Sequence, residues 1–214
     1  MNCVEKVNCR LCDSTKLVDF LDLGCTPPGN HFVSQNDLGT IQNKYPLTVK
    51  CCESCFHVQL GHVVDPVVLY KNDYSYVSSV SPVFLKHLDE YAEMAVNRFN
   101  LNDKSLVLDI GSNDGAALKA FQNRGCKVLG VDPAQNIVDI ANNSGVETKC
   151  LFFSEDTAKQ LSVEYGQFDY ITSHNVCAHI DVLKSVMLGV KSLLKTSGAF
   201  VFEVGYFLDV YEKG

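Results

Sequence analysis

The chain has 214 residues, 46% of them hydrophobic, and a formal net charge of −7. That length holds one medium domain, or a small and a medium one, with enough apolar residues for a substantial core. The acidic balance excludes a general nucleic-acid binder, because neutralising phosphates needs a surplus of Lys and Arg.

Met1 to Arg10 carries no apolar run of the kind a secretory leader needs, and no stretch approaches the ~18 apolar residues of a membrane span. A cytosolic protein, with neither membrane nor nucleic acid as partner, is expected. Ten cysteines are many for that compartment, where a disulfide framework is not expected. Seven of the ten fall in the first 55 residues, so the N-terminal part needs its own explanation. Cys126, Cys150 and Cys177 lie in apolar surroundings and read as small buried side chains.

Residues 1–62 lack any long helical period and are expected to form a zinc-binding domain. Cys9 and Cys12 form one C-x-x-C pair; Cys52 and Cys55 form another. Each pair can present two thiolates to one metal, and two pairs give the four-sulfur site that structural zinc prefers. The 39 residues between the pairs must fold back as an insert. Leu21-Asp22-Leu23-Gly24 reads there as a short strand, and Thr26-Pro27-Pro28-Gly29-Asn30 as a turn-rich loop. Cys51 can substitute for Cys52 but does not complete a C-x-x-C. Cys3 and Cys25 have no partner at ligand spacing. The plain alternative is a set of reduced, buried cysteines.

Residues 63–100 change character. Tyr74 to Pro82 holds two tyrosines and four serines, either lining a ligand site or forming a plain linker. Pro82 suits the first turn of a helix. Phe84, Leu85, Leu88, Tyr91, Ala92, Ala95 and Phe99 then repeat with an amphipathic period to about Asn100. His87 on that helix reads as structural.

Residues 101–214 open on Leu106 to Gly115, the stretch around which the chain is organised. An apolar strand ends in Asp109, then turns through Gly111-Ser112-Asn113-Asp114-Gly115 into a helix. Strand, small-residue turn and helix start make a cradle whose free N–H groups face a ligand. A dinucleotide site wants G-x-G-x-x-G for a pyrophosphate. Here Asn113 replaces the middle Gly, and Asp109 repels a pyrophosphate while suiting the cationic amino-acid end of S-adenosylmethionine. Asp132, ending the next strand, suits the ribose hydroxyls of either cofactor. The bland alternative is an α/β turn with no ligand.

Strands and helices alternate from Ser105. Strands are expected at 105–110, 127–131, 146–150, 168–173 and 199–204, and helices at 114–124, 134–143, 155–164 and 181–194. This order implies an α/β fold, a parallel Rossmann-like sheet covered on both faces, with ligands at the carboxyl ends of the strands. Those ends carry Asp109, Asp132-Pro133, Phe152-Phe153-Ser154 and His174-Asn175. With Gly111, Ser112, Asn113 and Gly115 they are the candidate cofactor residues. Phe152 and Phe153 either sandwich an adenine or sit in the core. Asn175 and His179 stand four apart and share a face if the turn there is helical; His179 is then a candidate to meet the acceptor, against a structural role.

Taken together, these residues resemble the zinc-containing sugar C-methyltransferases, which methylate C-3 of nucleotide-linked 4-keto-deoxyhexoses. The resemblance runs over nearly the whole chain. It includes Cys9–Cys12, Leu21-Asp22-Leu23-Gly24, Tyr45-Pro46-Leu47, Cys52–Cys55 with Val58-Gln59-Leu60, and Tyr74-x-Tyr76-x-Ser78-Ser79. It continues through Asp109 to Gly115, Gly130-Val131-Asp132-Pro133-Ala134, Asn175-Val176-x-Ala178-His179 and Phe200-Val201-Phe202-Glu203. The glycine loop alone marks only the broad class I methyltransferase fold. The resemblance implies that Asp109, Gly111, Gly115 and Asp132 hold S-adenosylmethionine and that Tyr76 and His179 face a nucleotide-linked sugar. It also implies a base from a Glu-His pair after the last strand and a further C-terminal domain, neither of which lies within residues 1–214. Carbon methylation requires an enolate, so a positioned base and a donor to the enolate oxygen are needed. Tyr76 suits the donor, and His179 is the base candidate within this sequence. The alternatives are an O- or N-methyltransferase on another small molecule, or a non-catalytic zinc- and S-adenosylmethionine-binding module. The oligomeric state is not legible.

Overall fold

The computed structural model describes residues 2–29, 32–71 and 74–213. The chain divides into two compact units, residues 1–76 and 77–214. That division falls inside the stretch 63–100 that composition set apart.

The first unit is built from short antiparallel strands. They are β1 (Cys3–Glu5), β2 (Leu17–Thr26), β3 (Tyr45–Cys52), β4 (Val58–Leu60) and β5 (His62–Val64). β1 pairs with β5, and β2-β3-β4 form a three-stranded sheet. The insert between the cysteine pairs is a long hairpin: the strand expected at Leu21–Gly24 extends over Leu17–Thr26, and the turn-rich run from Pro27 begins the connection to β3. Leu17 pairs with Cys52 at one end and Thr26 with Tyr45 at the other. Asn30, which ends the turn-rich run, lies outside the described residues. Among the described residues of this unit, only Cys9, Val49, Cys52, Gln59 and Gly61 are fully buried.

The second unit begins with α1 (Pro82–Phe99). Ser81 caps it by accepting the Phe84 N–H, Pro82 fills the first turn, and Asn100 ends it in the left-handed region. Then come β6 (Leu106–Ile110), α2 (Ala116–Asn123), β7 (Lys127–Asp132), α3 (Gln135–Asn143) and β8 (Thr148–Cys150). They are followed by α4 (Glu155–Tyr165), β9 (Phe168–His174), α5 (Leu183–Leu193), β10 (Leu194–Glu203) and α6 (Phe207–Lys213). The five strands form one parallel sheet in the order β10-β9-β6-β7-β8.

Strand alternation sorts the core onto the two faces. Leu108, Ile110, Leu129, Val131 and Ile171 pack with Ala158, Leu161, Val186 and Val190 of α4 and α5. On the other face Val107 and Tyr170 pack with Ala92 and Ala95 of α1 and Leu118 and Phe121 of α2. The strand order reverses direction between β6 and β9, so connections leave these neighbours toward opposite sides. The crevice for a ligand therefore opens at the carboxyl ends of β6 and β9. No helix among the described residues is long and apolar enough to cross a membrane.

Candidate metal centre and cofactor cradle

Cys9, Cys12, Cys52 and Cys55 converge, with all four sulfurs within 4.8 Å of one another. Cys9 Sγ lies 3.7 Å from Cys55 Sγ, and Cys12 Sγ 3.7 Å from Cys52 Sγ. A tetrahedron with Zn–S of about 2.3 Å has edges of about 3.8 Å, so these two sulfur pairs stand at the spacing of a zinc site. The two C-x-x-C turns are built alike. Asp13 and Phe56, each following a second cysteine, have φ of 60° and 61°. Their N–H groups donate to the carbonyls of Cys9 and Cys52. Ser14 and Ser54 link the turns through their hydroxyls at 2.8 Å. Against the upward push of burial, N–H groups of Cys55 and Ser54 hold the Cys52 thiol down to about 6. Gln59, buried in β4, was not singled out from sequence as a support. Its side chain accepts the Arg10 N–H at 2.8 Å and donates to the Asn8 carbonyl at 3.2 Å, fixing the first turn. A polar residue in a short strand beside the second cysteine pair was the available signal.

In the second unit the glycine loop leaves β6 with Gly111 at φ 71°, Asn113 at 51° and Gly115 at 81°. A Cβ on Gly111 would stand 2.4 Å from Val176 Cγ2, and one on Gly115 2.9 Å from Val146 Cγ1. Gly115 caps α2 without any side-chain acceptor, so the first N–H groups of that helix stay available. The loop is tied on both sides. Asn113 N–H donates to Asp132 Oδ2 at 3.0 Å, and Asn113 Oδ1 accepts the Ser78 N–H at 2.8 Å. Asp114 Oδ2 accepts the Ser79 N–H at 3.1 Å. The Asn113 amide oxygen is thus engaged in holding the Ser-rich segment.

Asp109 is the group that asks for a ligand. Its Oδ1 is buried with no partner, as are Ser112 Oγ and Asp114 Oδ1. Burial, then the charge of Asp132, pushes the Asp109 carboxyl well above the usual carboxylate range. Burial also raises Asp132, while N–H groups of Ala134 and Asn113 pull it back. The Ala134 N–H reaches Asp132 Oδ1 at 2.9 Å, so backbone donors orient both carboxylate oxygens, each with acceptor capacity left. An uncompensated buried acid beside an open helix start and small residues fits a ligand with one cationic end and a polyhydroxyl body. S-adenosylmethionine has both; a pyrophosphate at Asp109 has neither.

The remaining sequence candidates separate. Pro133 lies between Asp132 and Ala134 at this site, and its carbonyl accepts from the Cys150 thiol at 3.5 Å. Phe153 belongs to the core against α4 and α5, whereas Phe152 is exposed. One ring in the core and the other exposed do not face each other across an adenine. Ser154 is spent as the cap of α4, in a reciprocal box with Thr157. His174 ends β9 with its Nδ1 buried and unpartnered. Asn175 is exposed at φ 56° and donates its N–H to the Glu203 carbonyl, so no helix runs through it. The expected shared helical face of Asn175 and His179 does not form, because only Cys177–His179 make a single 3-10 turn. His179 has an exposed edge, yet enough protein surrounds it that burial lowers its pKa. Tyr76 is the last residue of the first unit and is 44% exposed.

Residues 9–70 match the family described as "Putative zinc binding domain", and residues 84–210 the family described as "Methyltransferase domain". C-methyltransferase NovU of Streptomyces niveus is 33% identical over 202 residues, 94% of this chain and 48% of that protein. The chain spans about half the length of the curated relatives it matches. Among solved structures, the PH0226 protein of Pyrococcus horikoshii OT3 superposes with TM-score 0.52 at 20% identity, covering 65% of this chain and 62% of that one. An S-adenosylmethionine-dependent methyltransferase of Clostridium acetobutylicum ATCC 824 gives 0.50 at 21%, covering 60% and 54%. Both likenesses show the fold alone. A matched domain over more than half of the residues, preceded by a zinc-binding match over the cysteine pairs, places the chain in the methyltransferase-domain family.

Proposed function

We propose that the chain is the zinc- and S-adenosylmethionine-binding part of a methyltransferase acting on carbon, at C-3 of a nucleotide-linked 4-keto-deoxysugar. The observation that carries the cofactor is Asp109, a buried carboxylate with an unpartnered oxygen beside the glycine loop. The 33% identity to C-methyltransferase NovU along 94% of this chain supports carbon as the acceptor. When bound, S-adenosylmethionine supplies a methyl group made electrophilic by its sulfonium. Asp109 takes the cationic end, Asp132 the ribose hydroxyls, and the Gly111–Gly115 loop lets the backbone approach. Tyr76 donates to the acceptor's ketone oxygen, where negative charge develops as the neighbouring C–H is ionised, and His179 lines the acceptor side.

The test is methyl transfer from S-adenosylmethionine carrying a carbon-13 methyl to a panel of nucleotide-linked 4-keto sugars, with the product read by NMR. The expected product carries the label on the carbon beside the ketone. A label on oxygen or nitrogen would leave the cofactor assignment and remove the carbon-acid mechanism.

A further inference from the structure

A chain of hydroxyls borders Asp109 on the face of the sheet that α1 covers. Tyr91 Oη, from α1, lies 2.6 Å from Tyr170 Oη and 2.7 Å from Thr172 Oγ1, and Thr172 Oγ1 lies 3.2 Å from His174 Nε2. Tyr170, Thr172 and His174 alternate along β9, so their side chains share that face. Thr172 is the register partner of Asp109, which puts His174 one pleat beyond that carboxylate. This is the strand end where α/β sheets take their ligands.

Counting protons gives the chain a direction. Burial draws His174 down to about 4, so its ring is neutral at physiological pH and has one proton to give. Three contacts then link four groups with one proton each. If His174 gives its proton from Nε2, the chain ends on Tyr170, which has no exposed surface, and the Tyr170 hydroxyl proton is left without an acceptor. If Tyr170 starts the chain, every hydroxyl proton is placed and the last one rests on His174 Nε2. Burying a donor with no acceptor is costly, so the chain runs from Tyr170 to His174.

His174 therefore carries its own proton on Nδ1. That atom is buried and meets no acceptor among the described residues. Glu203, the register partner of His174, is engaged through Oε2 by His87 Nε2 at 2.6 Å. Two orphaned groups thus stand one pleat apart: an Asp109 oxygen that lacks a cation and an N–H that lacks an acceptor. The amino-acid end of S-adenosylmethionine carries an ammonium and a carboxylate on a single carbon. We infer that His174 Nδ1–H donates to this carboxylate while Asp109 takes the ammonium, with Tyr170, Tyr91 and Thr172 as positioning residues that set the tautomer. The inference rests on the cofactor reading and supplies the donor that the carboxylate needs beside Asp109.

The experiment titrates the 214-residue chain with S-adenosylhomocysteine and with its decarboxylated analogue, which keeps the ammonium. Glutamine at position 174 places its amide near Nε2 and nothing at Nδ1, whereas asparagine places its amide near Nδ1. His174→Gln should weaken S-adenosylhomocysteine about 10–100-fold, the loss of one hydrogen bond to a charged group, and leave the analogue's affinity unchanged. His174→Asn should recover most of that loss, and Asp109→Asn should weaken both ligands. Nitrogen-15 NMR of the histidine rings in unliganded wild type should show Nδ1–H for the signals absent from the His174 variants. Thr172→Val should admit the other tautomer and weaken S-adenosylhomocysteine more than the analogue. Should His174→Gln not fold, the wild-type tautomer and the ligand comparison in Thr172→Val decide. Equal weakening of both ligands, as for a residue that only packs, or Nε2–H in wild type overturns the role of His174 and leaves the cofactor reading standing on Asp109. No S-adenosylhomocysteine binding by wild type, with Nδ1–H seen, overturns the cofactor reading and the carboxylate contact with it.

Discussion

Replacing Cys52 by Ser should unfold the first unit and spare the second. Cys52 is fully buried, and its sulfur is one vertex of the four-sulfur cluster, 3.7 Å from Cys12. Structural zinc contributes apparent binding energies of about 10–16 kcal/mol in small zinc domains, where metal binding is folding. Against this stands a thin core. Among the described residues of the unit, Val49 is the one fully buried aliphatic side chain, accompanied by Cys9 and Cys52. Fully burying a valine is worth about 1.5–3 kcal/mol, so the metal outweighs that core several-fold. Two measurements check this. Metal analysis should fall from about one zinc per chain, the stoichiometry of a closed four-thiolate site, to a small fraction of it. Hydrogen exchange should speed at β3 and β4, including the Cys52 N–H now held by the His57 carbonyl, while β6, β7 and β9 stay protected. A Cys52→Ser or chelator-stripped protein with β3 and β4 as protected as before would refute the reasoning.

Two further outcomes follow from the glycine loop. Asp109 is held well above its ordinary range by burial and then by Asp132, so the folded state keeps a proton that the unfolded chain releases. Stability of the unliganded second unit should therefore fall as pH rises above about 4, the unfolded carboxylate value. Asp109→Asn should flatten that slope and raise neutral-pH stability by about 1 kcal/mol or more, read by denaturant unfolding at several pH values. The same variant should weaken S-adenosylmethionine binding by about 2–5 kcal/mol, the usual loss when one partner of a buried charge pair is removed. Gly111→Ala and Gly125→Ala both force a side chain into positive φ, at 71° and 91°. That strain costs each about 1–2 kcal/mol. Only Gly111 adds a clash, 2.4 Å to Val176 against open space at Gly125, and should lose about 1–3 kcal/mol more. Equal melting temperatures for the two variants would contradict the close packing of the loop.

Much of the second unit was legible because its signals are local. Apolar runs bounded by glycines located β6, β7 and β9 to within a residue or two, and Asp109 with Gly111 and Gly115 announced the cradle. Paired C-x-x-C spacing likewise pointed to the four cysteines that converge. What stayed hidden depends on tertiary placement or on single backbone angles. His87 and Glu203 are 116 positions apart, so no window of sequence joins them. The hydrogen bond from the Ser78 N–H, 35 positions earlier, to the Asn113 side chain leaves no trace in residue type. Phe152 and Phe153 are chemically identical, and only their placement after β8 sends one into the core and leaves the other exposed. Asn175 tolerates the left-handed region, which breaks the helical spacing that links it to His179. In the first unit, the turn-rich composition after Gly24 obscured a strand that runs from Leu17 through to Thr26.

The central claim is that the loop from Asp109 to Gly115 holds S-adenosylmethionine and not a dinucleotide. Calorimetric titration of the 214-residue chain with S-adenosylmethionine and, separately, with NAD tests it most directly. The account predicts saturable binding of S-adenosylmethionine that Asp109→Asn weakens by about 2–5 kcal/mol, and no binding of NAD at the same concentrations. Comparable binding of NAD, or S-adenosylmethionine binding indifferent to Asp109→Asn, would contradict it.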